Sequence, residues 1–160
     1  FQTLNPLFIV VFAPVLASLW VKLGDRQPST PVKFSFGLIL AGLSYMVMMA
    51  PAYFNGSSSL VSPLWLVLSY FLVVIGELCL SPVGLSVSTK LAPAAFSAQM
   101  LSLWNLSDAA AQTLNAQLVK LYSADHEVIY FGGVGLVSVI LGIFLLLYAP
   151  VIKRLMRGIK

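Results

Sequence analysis

Long apolar runs alternate with short polar breaks along the whole chain. Five runs, at roughly 1–21, 34–52, 61–89, 97–121 and 128–151, are long enough to cross a bilayer core of about 30 Å. None alternates with the period of two that a strand requires, and all exceed strand length, so each predicts a helix. The first break runs from Lys22 to Lys33 and holds Pro28 and Pro31. The second is the uncharged turn Asn55-Gly56-Ser57-Ser58-Ser59, and the third centres on Ala92-Pro93. The fourth holds Asp125, His126 and Glu127. After Pro150 the last run gives way to a basic tail over 152–160. The expected fold class is all-α transmembrane, with five membrane-spanning helices.

Composition narrows the class further. Of the 160 residues, 59% are hydrophobic and 9% charged, against about 25% charged in an ordinary soluble domain. A soluble protein with one buried core is excluded. The single cysteine, Cys79, excludes a disulfide framework and a cysteine-based zinc site. The net charge of +4 invites a nucleic-acid reading, but its placement gives a better one. Lys22, Arg26, Lys33, Lys90, Lys153, Arg154, Arg157 and Lys160 fall on one side of the expected membrane and only Lys120 on the other. This is a positive-inside pattern, and it predicts a cytoplasmic C-terminus and no nucleic-acid partner. The tail is also suited to anionic lipid. The chain opens on Phe1, with no leader pattern ahead of it, as though its first helix were already under way. Further helices upstream are therefore expected.

Ionisable groups within a membrane are costly and usually face a cavity. Glu77 lies near the centre of the third run and Asp108 near the middle of the fourth. Around Glu77 the chain reads Gly76-Glu77-Leu78-Cys79-Leu80-Ser81-Pro82-Val83-Gly84. Ser81 is one turn further on the same face. Pro82 cannot donate to the carbonyl of Leu78. A buried acid beside weakened helix is the pattern of a transporter site, with Pro82 and Gly84 as the expected gate. The plainer alternative for each carboxylate is a hydrogen bond to a neighbouring helix. In the fourth run Trp104, Asp108, Ala111 and Asn115 share a face by spacing. In the first, Asn5 precedes Pro6; it either lines a cavity or satisfies backbone freed by the proline.

Other motifs carry less. Cys79 reads as packing, and His126 as solvated. Asn55-Gly56-Ser57 is a glycosylation sequon on the expected outer side. Gly132-Gly133-Val134-Gly135 lacks the strand and the Lys-Ser/Thr of a phosphate loop; Gly135, Ser138 and Gly142 read instead as a small-residue face for close helix packing. No Ser/His/Asp set, metal-spaced histidine pair or nucleotide motif is present, so no enzyme and no cofactor is expected.

The segments Phe1-Gln2-Thr3-Leu4-Asn5-Pro6-Leu7-Phe8, Pro28-Ser29-Thr30-Pro31-Val32-Lys33-Phe34 and Gly76 through Ser86 resemble bacterial proton-dependent oligopeptide transporters, of the major facilitator superfamily. The Glu-Leu-Cys-Leu-Ser-Pro run is specific; Gly24-Asp25-Arg26 alone marks only the superfamily. The resemblance covers the whole chain. It implies helices eight to twelve of twelve, part of the C-terminal six-helix bundle, in a multi-pass protein of the plasma membrane. It also implies import of di- and tripeptides with protons, driven by the proton gradient. By the same resemblance Asn5 and Glu77 engage the peptide ammonium, Ser81 lines the pocket, and Trp104 meets a peptide side chain. Asn105 and Asp108 depart from the family pattern, where an aromatic and an uncharged residue are usual. The peptide carboxylate would be held by N-terminal helices outside this chain, which count as partners together with the peptide, protons and the bilayer.

Two alternatives stand beside this. One is a carrier of the same fold for nitrate or an amino acid, which the Asn5 and Glu77 pair suits less well. The other is a non-transporting membrane scaffold whose polar residues only join helices.

Overall fold

A computed structural model describes residues 3–55, 62–123 and 126–156. The sequon's Gly56 and Ser57, Asp125, and the tail residues Arg157 and Lys160 lie outside the described residues. The rest forms five helices: α1 (Leu4–Leu23), α2 (Thr30–Asn55), α3 (Leu64–Leu91), α4 (Ser97–Val119) and α5 (Glu127–Leu155), with single 3-10 turns at Gly24–Arg26 and Ala94–Phe96.

Local chemistry sets the helix ends. α1 stops at Gly24, whose φ of +48° suits glycine and whose N–H caps the Val21 carbonyl. α2 starts at Thr30, four residues before the apolar run, because a proline at position 31 needs no N–H partner in a first turn. α3 ends where Ala92 turns extended ahead of Pro93. α5 opens on the acidic Glu127 and closes on Lys153 and Arg154, in the sense its dipole favours. It runs through Pro150 to Leu155, so these two basic residues belong to its last turn.

Four of the helices, α1, α2, α3 and α5, are long and apolar enough to cross a membrane. α4 has the length, with 23 residues, but Gln99, Asn105, Asp108, Gln112, Asn115 and Gln117 dilute its apolar character.

Packing follows a simple order. α2 lies between α5 and α3, and α3 also carries α1 and α4 on its flanks. Small residues make the crossings. A Cβ on Gly37 would lie 2.9 Å from the Gly76 carbonyl oxygen, and the reverse distance is also 2.9 Å. Gly142 meets Ile39 and the Ser35 carbonyl of α2 in the same way. Of the small face expected of Gly135, Ser138 and Gly142, the two glycines are buried in the α2–α5 seam, whereas Ser138 borders a pocket with Leu118, Ile129 and Tyr130. Ser35 and Ser44, fully buried, keep their hydroxyls on carbonyls of their own helix, while Ser69 of α3 donates to the Ser44 carbonyl of α2 at 3.1 Å. Close backbone approach with satisfied small polar residues is how helices associate where lipid is as apolar as any side chain. Large apolar residues such as Val10, Leu136, Ile140 and Leu147 stay on the surface, which in a bilayer is the lipid face.

Phe8 and Phe12 of α1 lock edge-on to Phe71 of α3, with centroids 6.1 and 5.2 Å away. The basic ends converge: Lys33 and Lys90 line one pocket of about 280 Å³ together with Gln27, Thr30, Pro82 and Ser86.

Candidate functional site

α3 is the element around which the site is arranged, since it touches α1, α2 and α4. Its carboxylate, Glu77, lies midway along the helix and is exposed. Cys79, two residues on, is buried, so the packed and open faces of α3 lie to either side of this point. Ser81, one turn beyond Glu77, is half-buried. Asp108 lies midway along α4 and is exposed. Two carboxylates at mid-helix depth thus stand on the open faces of adjacent helices.

Asn5 is placed in the first turn of α1 and is half-buried, and its side-chain oxygen Oδ1 is buried with no hydrogen-bond partner. The backbone near Pro6 does not use this atom. An unsatisfied buried acceptor costs about 1–3 kcal/mol and is normally found where something else completes it. Among the described residues no hydrogen bond joins Asn5, Glu77, Ser81 and Asp108 to one another. A carboxylate and a bare amide oxygen are acceptors, and what they favour is a multi-donor cation such as an ammonium.

Trp104 is the side chain by which α4 meets its neighbours. Its indole lies against Gly84 of α3, so close that a Cβ there would come within 2.1 Å of Cη2. Phe34 of α2 meets the same ring edge-on, 6.3 Å between centroids. Gly84 is buried in this contact, whereas Pro82 is exposed and borders the pocket shared by Lys33 and Lys90.

Two features went unread in the sequence. Phe34, the partner of Trp104, carried no pattern that could have marked it. Lys33 was read as a topology charge and as part of the segment that resembles the family, with no packing role. It is in fact buried, its ammonium donates to Gln27 Oε1 at 2.8 Å, and it stands 4.7 Å from the centre of the Trp20 ring.

The fold and the long apolar helices together define a multi-pass helical membrane protein. The POT family model matches residues 1–155, and the chain belongs to that family. It is 65% identical over 159 residues to an uncharacterized transporter, YclF, of Bacillus subtilis, covering 99% of this chain and 32% of that protein. It is 50% identical over 160 residues to a di-/tripeptide transporter of Lactococcus lactis, covering all of this chain and 32% of the relative. Among solved structures, a peptide transporter POT in complex with sulfate superposes with a TM-score of 0.92 at 61% identity, covering 98% of this chain and 32% of that one. A POT family transporter in complex with 5-aminolevulinic acid gives 0.88 at 45% identity, covering 95% and 31%. The chain spans about a third of the length of the relatives it matches. Its fold is that of these transporters, the major facilitator fold.

Proposed function

We propose that the chain is part of a proton-driven importer of di- and tripeptides working by alternating access. Glu77 and Asn5 bind the peptide ammonium, Ser81 lines the same pocket, and Trp104 and Asp108 meet peptide side chains. The peptide carboxylate and the proton-coupling groups belong to helices beyond this chain. The protein sits in the plasma membrane with its C-terminus in the cytoplasm, an orientation supported by the gathering of Lys33 and Lys90 at one end of the bundle. The observation that carries the reading is the exposed carboxylate of Glu77 at the middle of a membrane-spanning helix. The Lactococcus relative, a di-/tripeptide transporter, supports the choice of substrate.

The test is uptake by the full-length protein in proteoliposomes under an imposed proton gradient. Glu77→Gln removes the charge while preserving shape. Losing a charge-assisted hydrogen bond costs about 1.5–3 kcal/mol, or roughly 10–200-fold in affinity for a free dipeptide. An N-acetylated dipeptide, which has no ammonium, should lose much less. Equal losses for both peptides would remove Glu77 from the ammonium site. Uptake inhibited by nitrate and not by dipeptides would overturn the substrate class.

A further inference from the structure

We propose that Gly84 is a positioning residue for Trp104: its bare backbone is the seat that sets how far the indole projects into the peptide side-chain pocket. This rests on the reading of Trp104 as part of that pocket.

The geometry is specific. A Cβ on Gly84 would lie 2.1 Å from Cη2 of Trp104, 2.6 Å from Cζ3 and 2.7 Å from Cζ2. All three atoms belong to the outer edge of the six-membered ring. The indole thus stands tip-down on the α3 backbone, with Phe34 of α2 against it. Phe34 limits sideways movement and Gly84 sets depth. Among the described residues the backbone of α4 comes close to that of α3 alone among the long helices, α2 reaching it only through the Phe34 ring, and none of its own residues is buried. The Trp104 contact is therefore a principal fix on where α4 stands.

Gly84 invites a rival reading as a flexible joint, because Pro82 is two residues away. The backbone does not require it. Among the described glycines only Gly24 has a positive φ, so Gly84 has a conformation open to any residue. What demands glycine at 84 is space for the indole. Alanine would suit the helix better than glycine does, yet the ring would have to retreat by about 1.4 Å to restore an ordinary carbon–carbon contact of roughly 3.5 Å. The retreat is away from α3 and into the pocket, so a bulky peptide side chain meets the displaced ring and a methyl does not.

The two readings separate in the full-length transporter bearing Gly84→Ala, Trp104→Phe or both, assayed in proteoliposomes with dialanine and with alanyl-phenylalanine. With the seat filled, KM for alanyl-phenylalanine rises about 5-fold or more, while KM for dialanine and both kcat values stay within about 2-fold. In the Trp104→Phe background, where the outer ring edge is gone, adding Gly84→Ala changes either KM by less than about 2-fold. In fluorotryptophan-labelled protein, the fluorine resonance that Trp104→Phe removes is shifted by Gly84→Ala. Equal losses for both peptides, the same penalty with and without the indole, or an unmoved resonance each overturns the seat. Absence of dipeptide uptake by the unmodified transporter overturns the function proposed above; the resonance needs no substrate and still decides the seat.

Discussion

Gly42 of α2 and Gly135 of α5 touch backbone to backbone. A Cβ on Gly42 would lie 2.7 Å from the Gly135 carbonyl oxygen, and one on Gly135 would lie 2.8 Å from that of Gly42. The same added Cβ on Gly42 would lie 2.7 Å from Val139 Cγ2 and 2.9 Å from the Val139 backbone nitrogen. These atoms are held by their own helix and cannot give way cheaply. Gly42→Ala is expected to force the two helices apart at a cost of about 1–3 kcal/mol. A lower midpoint of thermal unfolding in detergent checks this. Gly133→Ala, on open surface of α5 with nothing near its Cβ position, is the control and should keep the midpoint or raise it slightly. Equal effects of the two would mean the seam is not close-packed.

Asp108 shares α4 with Trp104, one turn further along, and is exposed. We expect it to favour basic peptide side chains by charge pairing. Asp108→Ser should lower uptake of lysine-containing dipeptides by about 10-fold, the loss of one charge-assisted hydrogen bond, and leave dialanine nearly unchanged. Competition uptake with the two peptides measures the difference. Parallel losses would assign Asp108 to structure.

The end of α3 beyond Pro82 borders the pocket of about 280 Å³ that Lys33 and Lys90 share. Pro82, a little over one turn from Glu77, leaves the Leu78 carbonyl without its helical donor. We expect the segment from Pro82 to Lys90 to swing as a gate while Glu77 stays fixed. With Gly84 held under Trp104, Pro82 is the weak point of this stretch. Pro82→Ala restores the donor and is expected to slow turnover, with peptide affinity kept within a few-fold. Labels at the expected inner ends, near Lys90 of α3 and Ser97 of α4, should show a smaller distance change on adding peptide. Unchanged turnover and unchanged distances would make the proline a static feature.

At the other end of α4, the Tyr122 hydroxyl donates to the Glu127 carboxylate, bridging the chain into α5. Tyr122 also meets Tyr130 and Phe131 edge-on. The hydrogen bond to Glu127, aided by desolvation and the carboxylate's charge, holds the phenol above its usual value of about 10. A raised value favours the neutral phenol in the folded state. The bridge therefore contributes fully below the unfolded phenol's pKa and is lost as pH rises through the folded one. The alkaline absorbance titration, taken as the difference between the unmodified protein and Tyr122→Phe, should show one late-ionising tyrosine. Glu127→Gln should return it toward the usual range. No difference between these titrations would dissolve the bridge.

Much of this protein was legible from its sequence by itself. Helix and membrane follow from run length, because a spanning segment must satisfy its own backbone and only a long apolar helix does so. The basic residues gave an expected sidedness, and the mid-run positions of Glu77 and Asp108 an expected level for the site. The Glu77-to-Pro82 run gave the family. Which face of each helix is packed was not legible, apart from the small residues of α5. Apolar residues surround these helices on nearly every side, so periodicity does not separate a lipid-facing leucine from a helix-facing one. The tertiary structure decided that Gly37 meets Gly76, that Lys33 is buried beside Trp20, and that Gly84 lies beneath the indole of Trp104. Those choices depend on shape at the crossing points, where the absence of a single Cβ sets how close two helices come. A linear pattern of apolar and polar residues does not encode that distance.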